Sequence, residues 1–256
     1  MFTPSVKASQ VTFGVEIECA LPSEHIADFT PGGYHHGIQI SIAPRGWNCQ
    51  KDASVRGAAG FTPVEIVSGI LTGEPGLCEV VAMLDYLTEI GAHINQSCGL
   101  HVHIGTAGLT PVQVARTIKL FKHYEMAFFD LNGQTARARI ENSYCKPSNR
   151  WTGDRYASLN LQHVHQGHLE IRVWSGALKA EVVVAAIYMA VSLVSRATAE
   201  QPVPTSQLNT TSPIQMMSEF IENFVQGDCM IVPDVTPEDI YAVMTEQAAS
   251  SNRMGA

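Results

Sequence analysis

The chain has no run of Lys or Arg. Its 24 acidic residues against 16 basic ones leave a net charge of −8, which offers no track for a polyanion and argues against nucleic acid as a partner. It has no CxxC pair: the six cysteines, at 19, 49, 78, 98, 145 and 229, are scattered, and reduced thiols in a cytoplasm are the expectation. The opening MFTPSVKASQ has no apolar signal core. The longest apolar stretch, 182–191, falls well short of the roughly 20 residues that span a bilayer, so it reads as a buried helix and no membrane is expected. There is no GxxxxGK[ST] loop, which excludes a P-loop kinase, and no internal repeat or low-complexity block. With 45% hydrophobic residues the chain has the material for a real core.

What it does have is a set of acids and histidines on alternating positions. In VTFGVEIEC, residues 11–19, Glu16 and Glu18 alternate with Val15 and Ile17. On a strand they point the same way, about 6.6 Å apart along it. Burying both without a counter-charge is costly, so a divalent cation or an arginine is the expected partner. GLHVHIG, 99–105, puts His101 and His103 on one face, and HLEIRVW, 168–174, does the same for Glu170 and Arg172. TPVEIVS, 62–68, adds Glu65 as another inward acid.

Around these strands, 21–45 has little periodicity and reads as a surface excursion, and 47–54 as a short strand ending in a turn. Apolar positions at helical spacing predict a helix over 77–90, stopped by Gly91. A second helix is expected from an N-cap at Thr110, with Pro111 first, to about 131. A polar, arginine-rich loop over 132–155 follows, then strands at 156–162 and 169–174 paired across HVHQG, and an apolar helix over 180–198. Expected domains are a catalytic unit over 1–199, a linker at 200–213 and a helical extension over 214–256, with helices near 214–226 and 237–249. This order of elements suggests α+β rather than a parallel α/β sheet.

Taken in order, GVEIE, KDAS, EIVSGIL, CGLHVHIG, RYASLNL and LEIRVWSGAL resemble the amidoligase family of the carboxylate–amine ligase superfamily, which includes glutamine synthetase and glutamate–cysteine ligase. The resemblance covers roughly residues 11–195. It implies a curved, mostly antiparallel, glutamine synthetase-like sheet flanked by helices, with ATP entering one end of a funnel and the amino substrate the other. By the same resemblance Glu16, Glu18, Glu65 and Glu170 are metal ligands. His101 stands near metal and nucleotide phosphate, and Arg172 clamps a phosphate or acyl phosphate. Asp52 matches the acidic turn, with Ala53 where the family has glycine, and Arg155 and Asn160 match a strand that contacts substrate or phosphate.

The chemistry of the residues agrees. Amide formation in water is uphill, so a carboxylate must be activated, most simply as an acyl phosphate made from ATP. Phosphoryl transfer needs hard cations, which carboxylates hold. The expected cofactors are ATP and Mg²⁺, two or more ions, with Mn²⁺ as the alternative. The expected partners are a small-molecule or peptide carboxylate and an amine, with a homo-oligomer left open.

Competing readings remain at this stage. One is a hydrolase that binds zinc or manganese through HVH and the acids. Another is a non-catalytic scaffold that binds a nucleotide. Glu170 with Arg172 reads alternatively as a salt-bridge network, and His103 as mere pocket lining. Cys98 invites a nucleophile reading without an assigned base, HVHQGH at 163–168 a zinc reading, and Arg150 is a weaker candidate for a phosphate contact.

Overall fold

The structure, a computed structural model, describes residues 6–34, 36–130, 143–148 and 153–199. Arg150, the expected 200–213 linker and the expected C-terminal helices lie outside the described residues.

Eight strands form one sheet among the described residues. They are β1 (Thr12–Pro22), β2 (Ile38–Gln39), β3 (Asn48–Gln50), β4 (Phe61–Val67), β5 (Leu71–Thr72), β6 (Gly99–Gly105), β7 (Leu159–Asn160) and β8 (His168–Ser175). The order is β2-β3-β4-β1-β6-β8-β7, with β5 pairing the start of β1, and every strand pairing is antiparallel. The helices are α1 (Ile26–Phe29), α2 (Gly73–Glu89), α3 (Pro111–Asp130) and α4 (Ala180–Ala197). This is the expected α+β architecture, and the strands at 99–105 and 168–175 fall where the alternation puts them.

Alternation divides the sheet into two chemically different faces. Val15, Ile17 and Cys19 of β1, Leu100, Val102 and Ile104 of β6, and Leu169 and Ile171 of β8 are all at most 1% exposed. They share one core with α2, α3 and α4. Each such large apolar side chain contributes roughly 1.5–3 kcal/mol when fully buried. The residues between them, acids and imidazoles, are left for the other face.

The helix boundaries have local causes. α3 is capped as expected: the Thr110 hydroxyl accepts from the Gln113 amide, and the Gln113 side chain accepts from the Thr110 amide. α2 begins at Gly73, four residues before the periodicity predicts. Pro75 belongs to the first turn, where its missing N–H costs nothing. Gly76 is required there, since a Cβ would lie 2.8 Å from that of Leu71. α4 is long and apolar enough by length and composition to cross a membrane, but 72% of it is buried and it is the central core helix.

Candidate active site

Cross-strand register assembles the polar face into rows. Gln50, Glu65 and Glu18 stand side by side on β3, β4 and β1. Glu16 stands opposite His101. Gly14, His103, Glu170 and Asn160 form a third row across β1, β6, β8 and β7. Directly opposed residues on one face have Cβ atoms only about 5 Å apart, so register alone crowds four carboxylates around two imidazoles.

A bulge in β8 shapes the middle of this face. Leu100 pairs Trp174 and Val102 pairs Ile171, so His101 alone opposes both Arg172 and Val173. Arg172 keeps the polar face beside Glu170 that alternation gives it, and the extra residue shifts the parity after it, so that Val173 and Trp174 both lie in the core, 0% and 3% exposed.

His101, 1% exposed, is the centre of the cluster. Its Nδ1 lies 2.8 Å from Glu16 Oε2, 3.7 Å from Glu170 Oε1 and 3.8 Å from Glu65 Oε1, and its Nε2 lies 3.4 Å from Glu18 Oε1. His103 Nε2 lies 2.9 Å from the other oxygen of Glu16. Arg172 donates to Glu170 and, through Nε, to the Tyr144 carbonyl at 3.3 Å. Asn160 donates to the second oxygen of Glu170 at 2.7 Å. Gln50 donates to Glu65, and the Gly99 amide to Glu18 at 2.5 Å.

Among the described residues the charges do not balance. Burial acts most strongly on Glu16 and would raise it, but hydrogen bonds and charge from His101 and His103 hold its carboxyl well below the ordinary range. Burial also opposes ionisation of Glu170, where Arg172 and His101 prevail and lower it. His103 is raised: burial would lower it, and the Glu16 carboxylate outweighs that. Glu65 has no such help. Burial and the neighbouring Glu16 and Glu18 push its carboxyl well above the ordinary range, against a single hydrogen bond from Gln50.

A divalent cation fits this donor set. Two triads, Glu16, His101 and Glu170, and Glu18, Glu65 and His101, each bring three ligand atoms within 4.8 Å of one another. Carboxylates outnumber imidazoles in both, which suits a hard ion such as Mg²⁺ or Mn²⁺ better than zinc.

Two cavities meet at Glu16 and His103. One, of about 340 Å³, holds both triads together with Asp52, Asn160, Arg155 and Arg172. It thus brings together every residue that the family resemblance assigns to metal, phosphate or substrate. Asp52 Oδ1 accepts from the Ser54 amide at 2.5 Å and from its hydroxyl at 2.6 Å. Arg155 is exposed and stacks on Tyr156, 5.0 Å from the ring centre. The other cavity, of about 470 Å³, is bordered by Gly14, Gly46, Gly69, Gly105 and Gly167. It opens where β4 breaks off before β5. There the Ser68 hydroxyl accepts from the Val15 amide and donates to the Gly69 carbonyl.

Two side readings are corrected. Cys98 is 1% exposed and packs against Gly176, away from the cavities. In HVHQGH, His163 and His168 stack with parallel rings while His165 is exposed on its own, so the three nitrogens do not converge as zinc ligands would. Gln50 was missed, although its parity with Asn48 and against buried Cys49 puts it on the polar face. Tyr34 and Tyr144, on the cavity wall, lie in segments with no periodic signal.

Residues 40–152 match the family described as "Putative amidoligase enzyme", so the resemblance carried by the motifs is borne out over that stretch. Among solved structures the chain is similar to a chain of the crystal structure of the complex between Prokaryotic Ubiquitin-like Protein Pup and its ligase PafA. The identity is 8% and the TM-score 0.51, covering 96% of this chain and 64% of that one. The chain therefore spans less than two thirds of that neighbour's length. The likeness is one of fold, and it fits the glutamine synthetase-like sheet. No curated protein matches the chain.

Proposed function

We propose, from the amidoligase match over residues 40–152 and the two triads that share His101, that this chain is an ATP- and Mg²⁺-dependent carboxylate–amine ligase. It forms an amide or isopeptide bond through an acyl phosphate. The observation that carries the reading is the double triad: four carboxylates gathered on one face, outnumbering the cationic groups that contact them among the described residues.

Glu16 and Glu170 would hold one ion and Glu18 and Glu65 the other, with His101, whose neutral ring has one nitrogen lone pair, ligating one of the two. Bound there, the ions would supply neutralising charge for the nucleotide phosphates and for the transferring phosphoryl group. The nucleotide base lies in the glycine-bordered cavity, on the Glu16 side. The carboxylate and the amine meet in the other cavity, on the side of Glu18 and Asp52.

The residues then divide the work. Arg172, aimed by Glu170 and the Tyr144 carbonyl, stabilises the γ-phosphoryl group as a carboxylate oxygen attacks it and ADP leaves. Asn160 holds Glu170 in place through its amide. Arg155, on the cavity wall, orients the carboxylate substrate. Asp52 takes the proton from the amine as its nitrogen attacks the acyl carbon and phosphate departs. Among the described residues only one of its oxygens is engaged, by Ser54.

PafA is the ligase of a small protein, so a peptide substrate is part of this proposal alongside amino acids and polyamines. The test is ADP release with Mg²⁺ and ATP against pooled carboxylates and amines, with mass spectrometry of the products. ADP formation that needs both partners, with a condensation product, is expected. Silence together with stoichiometric zinc in the purified protein would replace the ligase by a metal hydrolase.

A further inference from the structure

The polyphosphate of the nucleotide has to pass from the glycine-bordered cavity to the metal cavity, and the passage lies at Glu16 and His103, which border both. Beside His103 stand two more imidazoles that the proposed chemistry leaves unused. His168 lies 5.5 Å from His103, ring centre to ring centre, and borders the glycine-rich cavity. His163 stacks on His168 at 5.1 Å with the planes 9° apart, and borders the metal cavity. The three rings make a continuous rail along one side of the passage. Its cause is the tight turn between β7 and β8, in which Gly167 at φ 86° returns the chain and the His168 amide donates to the His163 carbonyl at 3.3 Å.

Neither ring of this pair makes a side-chain hydrogen bond among the described residues, and His163 Nδ1 is buried with no partner. A buried N–H without an acceptor costs more than a buried lone pair without a donor. With the proton on Nε2, the nitrogen on the opposite edge of the ring, His163 leaves no donor buried at Nδ1 and presents one to its surroundings. Packing alone does not explain two polar rings, one on each cavity, with donors unspent.

Resting on the ligase reading, we infer that His163 and His168 are phosphate-binding residues, which donate ring N–H groups to the nucleotide's polyphosphate as it passes His103 toward the ions. Donors to a charged phosphate oxygen are each worth roughly a tenfold change in affinity or more. Because the rail touches phosphates and not the base, its contribution grows with the number of phosphates on the ligand.

The experiment is calorimetric titration of the full chain with adenosine, ADP and a non-hydrolysable ATP analogue, each with Mg²⁺. It is run on the wild type, on His163→Ala/His168→Ala, and on the same pair changed to Gln, which keeps a donor. The expected result is about tenfold or greater weakening of the ATP analogue in the Ala pair, unchanged adenosine binding, and partial recovery in the Gln pair. Equal binding of the analogue by wild type and the Ala pair would overturn the rail and leave the ligase reading standing. Failure of the wild type to bind the analogue at all would overturn both. Equal weakening of adenosine and the analogue would show a collapsed turn in place of a phosphate contact, and would likewise overturn the rail. The Gln pair, whose circular dichroism and melting should match wild type, separates that outcome from misfolding.

Discussion

Glu16 Oε2 lies 2.8 Å from His101 Nδ1, while its other oxygen lies 2.9 Å from His103 Nε2. One carboxylate thus orients both histidines of GLHVHIG and still offers its oxygens to an ion. Glu16→Gln keeps the shape and removes the charge. It is expected to lower ATP consumption by at least about 100-fold, more than the loss of an outer partner costs a metal site, with an unchanged far-ultraviolet dichroism spectrum. Glu170→Gln should behave alike. Wild-type turnover in either would remove the triad from the mechanism.

Glu65 gives the pH dependence. Its carboxyl is raised by burial and by Glu16 and Glu18, so the folded chain holds this proton more tightly than the unfolded one. Below the ordinary carboxylate range both states are protonated and nothing is lost. As pH rises above it the unfolded chain ionises freely, and stability falls until the folded group also ionises. Glu16 and Glu170 are lowered and act in the opposite sense, losing stability as pH falls. Without metal, Glu65→Gln should therefore melt higher than wild type at pH 7, by at least about 2 °C, and show a flatter profile above pH 5. With Mg²⁺ the order should reverse, since only the wild type keeps both carboxylates of the Glu18, Glu65 and His101 set for an ion. Melting curves with and without Mg²⁺ test both halves.

Much of this was legible in the sequence because a strand's period of two is unambiguous when acids alternate with β-branched residues. Glu16, Glu18, Glu65, His101, Glu170 and Arg172 all reach the polar face for that reason. Trp174 breaks that parity: the bulge opposite His101 turns it into the core, which alternation cannot show. The start of α2 was misread because Gly and Pro signal a loop in isolation, yet both suit a first helical turn. The pairing of His163 with His168 was invisible for another reason: a stack depends on the turn's conformation, not on spacing.

Gly14 tests the assignment of the nucleotide cavity. It shares the polar face with Glu16, and an added Cβ would make ordinary contacts, at 3.4 Å to the Gly69 carbonyl and 3.5 Å to Ser68 Oγ. The backbone therefore tolerates a side chain, whose remaining atoms must enter the cavity beside Glu16. Gly14→Val is expected to weaken Mg-ATP binding by about tenfold or more while melting stays within about 4 °C of wild type. A well-folded variant with unaltered affinity would put the base elsewhere.

Arg172 and Arg155 share a cavity and a charge but not a setting, and their variants should separate in kinetics. Arg172 is fixed by Glu170 on one side and the Tyr144 carbonyl on the other, a forked arrangement that a lysine's single ammonium cannot reproduce. Its charge is held on the phosphoryl path, so Arg172→Lys should lower kcat by roughly 10²–10³-fold, as losing a fixed donor to a developing charge does. Arg155, exposed and lying on the Tyr156 ring, is proposed to hold a substrate rather than a transition state. Arg155→Lys should raise KM for the carboxylate with kcat nearly kept, the signature of lost uniform binding. Exchange of the two signatures would exchange the two roles. A fall in kcat for both would make the wall of the cavity, and not Arg172 alone, the place where phosphoryl charge is met.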